Sequence, residues 1–346
     1  MNLPGRDKKW RYLILAVLTM AGLVMLFVAV LFTEGTAERP QRVAVLMSGE
    51  SRRERLAGLQ HGLAELGFIE NKNVMYQVAS ANDNRQMLDS LAQELMKTEP
   101  DVVVALGGLE ADAAQQAAGS YQKSSGMLTP VIFAGVASAQ ARGLEQHQQL
   151  RQITGVENLD AELSGKRLEY LKRLLPGLRK VGVIYEPGII PSELGVSYAQ
   201  EAAALLHVEI EKYPVYSLAD IQALEDSLSA GMCDGLLLMP SFIIESGIEK
   251  MYRLSVAKKI PVMGLRVKNA SMYYFASFGP NVYYQGRQTA RLVAKVLQKN
   301  SLADIPVETP DRVELIINVD IARQLAVGLT PEQLQYADQL AGAADG

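Results

Sequence analysis

Cysteine is nearly absent: Cys233 is the only one in 346 residues, so no intrachain disulfide can form. Its distance from the N-terminus also excludes a lipid attached at an N-terminal cysteine. Flanked by Met232 and Asp234 just before an apolar run, it reads as a small packing residue. Histidine is almost as scarce. His61, His147 and His207 stand apart, in none of the His/Glu or Cys/His spacings that hold a metal. The chain also lacks the G-x-S-x-G elbow, the phosphate-binding G-x-x-x-x-G-K-[ST] loop and a G-x-G-x-x-G turn after a strand. No catalytic residue, metal or cofactor is therefore expected, and the chain is not read as an enzyme. With net charge −4 and acidic and basic residues interspersed, there is no basic stripe to bind nucleic acid. Gly/Ser/Pro tracts and short-period repeats are missing too, which excludes low-complexity and solenoid architectures.

What is present divides near Arg42. Before it, residues 12–32 form 21 consecutive positions without a charge, close to the roughly 20 a helix needs to span a bilayer. Arg6, Lys8, Lys9 and Arg11 precede that run and place the 1–11 segment in the cytoplasm by the positive-inside bias. Residues 12–32 are expected to be a single-pass transmembrane anchor in the inner (cytoplasmic) membrane, and 33–41 a polar linker. The soluble part then lies in the periplasm or outside the cell. A cleaved signal peptide is the alternative, although its apolar region is usually shorter, about 7–15 residues. With either, the folded part is exported.

From Arg42 onward apolar strand patterns alternate with amphipathic helices. Strands are expected at 42–46 (RVAVL), 74–78, 102–106 (VVVAL) and 131–133. Helices lie between them, as at 53–66, where Leu56, Leu59, Leu63 and Leu66 share a face. A second set follows 153–156, with strands at 181–185, 208–212, 235–239 and 261–264. Runs apolar at every position indicate strands covered by helices on both faces, hence parallel sheets built from right-handed crossovers. The fold class is α/β: two Rossmann-like, doubly wound parallel-sheet lobes with a central cleft. Lobe one is expected to comprise 42–154 and about 272–302, lobe two 155–271 and about 303–346.

In such sheets ligands bind beyond the carboxyl ends of the strands. The candidate ligand-binding residues follow from that rule: Ser48, Glu50 and Ser51 after the first strand, Gly108 after the third, and Val136 and Ala137 after the fourth. Tyr185, Ser192 and Ser241 are their counterparts in the second set. Small residues there let a ligand approach backbone N–H groups, and equally serve as plain tight turns. Tyr273, Tyr274, Tyr283 and Tyr284 form an aromatic cluster expected to pack at the hinge side.

The ordered series ITGVENLDAELSGKRLEYLKRLLPGLRKVGVIYEPG, DIQALEDSLSAGMCDGLLLMP, KKIPVMG, GRQTARLVAKVL and ADIPVETPDRVELIINVDIARQLAVGL resembles the substrate-binding proteins of an ABC-transporter family. Some members of that family are receptors for tryptophan or other aromatic amino acids. The resemblance, from about Arg42 to Ala337, implies a type I periplasmic-binding-protein fold, a small-molecule ligand such as an amino acid, and an ABC permease as partner. Two positions depart from the family pattern. Ser241 and Phe242 stand where an Asp-Asn pair is common, removing a carboxylate suited to a ligand's ammonium. Gly107 to Glu110 replace small hydroxyl residues. A membrane sensor reading the same cleft is the alternative partner, suggested by the anchor.

Overall fold

The computed structural model describes residues 10, 12–13, 15–20, 39–121, 123–124, 126–139, 142–144, 153–229, 231–266 and 270–342. Most of the expected 12–32 span and of the 33–41 linker lies outside the described residues. Among the described residues no helix is long and apolar enough to cross a membrane. The chain divides into Met1–Pro40 and Gln41–Gly346, and the second unit contains both sheets.

The first sheet has strands β1 (Gln41–Met47), β2 (Val74–Ser80), β3 (Val102–Ala105), β4 (Val131–Val136) and β5 (Ile153–Glu157). Their order is β2-β1-β3-β4-β5, parallel throughout. Side chains alternate across a strand, and here both faces are buried. Val43 and Val45 of β1 join one core, Ala44 and Leu46 the other. Helix α1 (Arg53–Glu65) contributes Leu59 and Leu63 to the first of these cores, while α2 (Leu88–Lys97) and α3 (Gly108–Ser120) cover the opposite face.

The second sheet contains β6 (Lys180–Tyr185), β7 (Glu209–Pro214), β8 (Gly235–Leu238), β9 (Val262–Gly264), β10 (Ala276–Pro280), β11 (Val313–Asn318) and β12 (Gln339–Ala341), in the order β12-β11-β10-β9-β8-β6-β7. Helices α4 (Ser164–Leu174) and α5 (Ile190–Leu206) cover one face. On the other lie α6 (Leu218–Ser227), the short α7 (Phe242–Ser246) and α8 (Ile248–Lys258), with α9 (Ala270–Tyr273) before β10.

After β10 the chain returns to the first lobe. There α10 (Val282–Leu297) packs Ala290, Val293 and Leu297 beside α1. It then re-enters the second lobe at β11 and closes with α11 (Val319–Gln324) and α12 (Pro331–Leu334).

Two expectations change. The 155–157 stretch assigned to lobe two completes β5 in the first sheet, and 272–280, assigned to lobe one, contains β10 of the second. Nor is the second sheet wholly parallel, because β11 runs antiparallel to β10. The reason is topological. β10 leaves its sheet toward the first lobe, so the returning strand starts at that same end and must run the other way. The connecting segments lie side by side: Glu157 N–H donates to Glu308 O and Glu308 N–H to Gly155 O, each at 2.9 Å.

Candidate ligand-binding cleft

The carboxyl ends of both sheets' parallel strands face a common gap. Lobe one lines it with Arg52, from the 3₁₀ turn Glu50–Arg52 after β1, and with Arg85, Gly108, Leu109, Ala137 and Arg142. Lobe two contributes Glu186, Ile189 and Pro191 after β6, and Pro240, Ser241, Phe242 and Glu245 after β8. The cavity measures about 70 Å³, room for on the order of five waters.

Arg52 bridges the gap. Its Nε donates to Glu110 Oε1 at 3.1 Å within lobe one, and its Nη1 to Glu245 Oε2 at 2.9 Å in lobe two. Glu110 is fully buried in the first turn of α3, and its Oε1 also accepts the Ser48 N–H at 2.9 Å. Burial alone would raise the pKa of that carboxyl. The adjacent Arg52 and the Ser48 bonds outweigh burial and hold it below the usual carboxylate range. Conversely, burial opposes the charge on Arg52, but Glu245 and Glu110 together drive its pKa upward.

Arg142 forms an ion pair with Asp112 through Nη1, while its buried Nε has no hydrogen-bond partner among the described residues. Its guanidinium lies against Gly108, where a Cβ would sit 2.7 Å from Cζ. The glycine at the start of α3 therefore admits this arginine. Opposite, the Glu186 residue is 8% exposed, and its backbone N–H donates to Ser192 Oγ at 2.9 Å.

A second, smaller cavity of about 10 Å³ lies toward the crossover segments, among Ser51, Arg55, Asn158, Asp160 and Arg266. Arg55 is buried with neutral partners, donating from Nε to Gln285 Oε1 and from Nη1 to Leu106 O. Burial first, and then the neighbouring Arg52, lower its pKa to about 10. The guanidinium lies against Gly135, whose φ of +73° and missing Cβ are both needed there.

Residues 42–341 match the model of the ABC transporter substrate binding protein family. The chain belongs to that family. It is a family of binding proteins rather than enzymes. A curated relative, the tyrosine-binding protein of Clostridioides difficile (strain R20291), is 24% identical over 288 residues, 81% of this chain and 79% of that one. Among solved structures, a conserved domain protein from Vibrio cholerae aligns at a TM-score of 0.78 with 24% identity, over 87% of this chain and all of the other. An ABC domain from Streptococcus pneumonia in complex with L-Trp aligns at 0.75 with 20% identity, over 87% and 99%. These structural likenesses establish the two-lobed α/β fold.

Of the residues singled out from sequence, this substrate-binding protein brings Gly108, Ala137 and Ser241 to its main cleft and Ser51 to the smaller cavity. Ser241 Oγ accepts the Ile244 N–H at 3.2 Å and so caps α7. The other five lie elsewhere. Ser48 and Val136 are fully buried, Glu50 is exposed and paired with Arg53, and Tyr185 packs on the second core. Ser192 is spent on Glu186 N–H. These positions alternate in direction, so strand-end residues divide between cleft and core. The aromatic cluster is not in the cleft: Tyr274 and Phe275 are core, and Tyr283 bonds His61.

Sequence reasoning missed the charged lining, Arg52, Arg85, Arg142, Glu186 and Glu245. A usable signal existed, because each lies within a few positions of a parallel strand's carboxyl end. Helix-face solvation explained such charges equally well.

Proposed function

We propose that the cleft binds a small zwitterionic, amino-acid-like metabolite, with its carboxylate toward Arg142 and Arg85 and its ammonium toward Glu186. One observation carries this reading: lobe one offers an arginine whose buried Nε is unpaired among the described residues, and lobe two offers a carboxylate lining the same gap. A ligand with opposite charges at its two ends gains full contact only when both lobes touch it, which is what couples binding to hinge closure. Glu186 takes over the ammonium-binding task that Ser241 and Phe242 cannot perform. The tyrosine-binding relative and the L-Trp complex support an amino acid as the class of ligand.

In this reading the domain works outside the cytoplasm, tethered by the uncharged 12–32 run, and delivers its ligand to an ABC permease. The Lys/Arg excess before that run supports the orientation. The same run supports a second reading, a fixed sensor module whose closed form is read by a membrane signalling partner.

The test is to purify the full-length chain natively, identify co-purifying metabolites by mass spectrometry, and screen amino acids by thermal shift. L-amino acids should stabilise the protein, whereas their N-acetylated and amidated forms should not. Arg142→Gln should weaken binding about 10- to 100-fold, the worth of a charge-assisted hydrogen bond of about 1.5–3 kcal/mol. Equal binding of the N-acetylated forms would overturn the zwitterion assignment. Recovery of the mature chain in the soluble fraction would remove the fixed-sensor reading.

A further inference from the structure

Each of the two sheets ends in two edge strands, and three of these four edges are blunted. β7 carries Glu209, Glu211 and Lys212 and stops at Pro214, while β12 is only three residues long. β5 is covered by the crossover segment through the Glu157 and Glu308 bonds. Charge, proline, shortness and cover are the usual protections of a sheet edge against pairing with another chain. β2 has none of them. It is the outermost strand of the first sheet and runs seven residues, VMYQVAS, without a charge, a proline or a glycine.

The hydrogen bonds of this strand fix which of its groups point outward. Gln41 N–H donates to Asn73 O and Ala81 N–H to Met47 O, each at 2.9 Å, so the odd-numbered residues of β2 face β1. Tyr76, Val78 and Ser80 therefore aim their backbone N–H and C=O away from the sheet. Among the described residues no other segment takes those groups up. Leu66, Ile69, Met75, Val78 and Met87 are exposed apolar side chains on this strand or on the segments that enter and leave it. Lys72, just before the strand, and Asp83, just after it, are exposed charges of opposite sign.

We propose that β2 is a self-association edge that pairs antiparallel with β2 of a second copy of this chain. The strand is its own complement. A two-fold axis at Val78 sets Val78 against the partner's Val78 and Tyr76 against the partner's Ser80, so that every outward N–H and C=O of the three residues finds an acceptor or donor. The same antiparallel arrangement brings Lys72 toward the partner's Asp83 at both ends of the pair, an acid facing a base each time. Pairing also takes Met75 and Val78 out of water. A second copy is favoured over an unlike chain because the strand's outward groups and flanking charges are matched by its own reversed sequence. The association holds whatever ligand the cleft takes.

The test uses the full-length chain in a non-ionic detergent, with its mass followed by sedimentation velocity across micromolar concentrations. The mass should pass from one copy to two as concentration rises. Under a mild oxidant, Val78→Cys should link two chains, because residues on the axis lie about 5.5 Å apart at Cα, inside the span of a disulfide. Gln77→Cys, which faces the partner's Ala79 instead, should link far less. The parent should not link at all, since its one cysteine, Cys233, is buried. Val78→Lys sets two like charges against each other and should raise the dimer Kd about tenfold or more. It should leave the thermal midpoint within about 2 °C, as for an exposed substitution. If Val78→Lys lowers that midpoint further, the two cysteine variants decide alone. A single copy at every concentration overturns the proposal. So does equal linking at positions 77 and 78, or a dimer indifferent to Val78→Lys, which would place the association on another surface such as the uncharged 12–32 run.

Discussion

Asp160 and Arg167 lie where the chain first enters the second lobe, and both are buried. Arg167 Nε donates to Phe278 O at 2.7 Å, and its Nη2 bonds Asp160 Oδ1. Burial pushes the Asp160 carboxyl up to about 6 from 3.8, against the opposing pull of Arg167. Between those values the folded protein holds a proton that the unfolded chain has released. This carboxyl therefore favours folding most below about pH 4, and its contribution is lost as the pH rises through about 6. Comparing urea midpoints across that window, Asp160→Asn should remove this component of the decline. An unchanged slope would show that the carboxyl titrates normally. At the same scale, the cleft depends on glycines that admit arginines, Gly108 for Arg142 and Gly135 for Arg55. Both glycines stand out in the sequence as turn residues, but the guanidinium each one accommodates does not.

At the scale of elements, α1 and α10 meet backbone to backbone. A Cβ on Gly286 would lie 2.0 Å from Arg55 O, and one on Gly58 2.0 Å from Tyr283 O. Gly286→Val forces the two helices apart and should destabilise the protein by about 1–3 kcal/mol, the usual cost of overpacking, as read from the denaturation midpoint. The helix itself was legible. Residues 281–298 carry an apolar stripe, and Asn281 caps it by accepting the Tyr283 and Tyr284 N–H groups. Its partner was not legible, since a stripe says that a face is buried and not against what. Strands divide in the same way. β3 reads as VVVA and is buried on both faces, as an unbroken apolar run implies. β10 reads as ASFGP, which in isolation looks like a turn. Neighbours on both sides make it a strand, and the sequence around it carries no trace of them.

For the whole molecule, the lobes are interleaved. Lobe one's core is completed by Ala290, Val293 and Leu297 of α10, which follow β6 to β10 of lobe two in sequence. A chain ending at Pro280 should therefore not retain a folded first lobe and an independent second one. Removing 281–346 strips α10 from one core and β11 from the other sheet, exposing apolar faces on both. Circular dichroism and proteolysis of that truncation should show loss of cooperative structure in both lobes. A protected 41–157 fragment would contradict this.

The two-lobed α/β architecture and the location of the cleft followed from the amino-acid sequence, because period and apolarity are local properties that short segments carry with them. The cleft's chemistry did not. Arg52 is separated from Glu245 by nearly two hundred positions, and no local pattern marks them as partners. Only the approach of the lobes decided which strand-end side chains face the gap, which are absorbed into the cores, and which charges meet across it. Those outcomes depend on distances set by the closed fold rather than by neighbours along the chain.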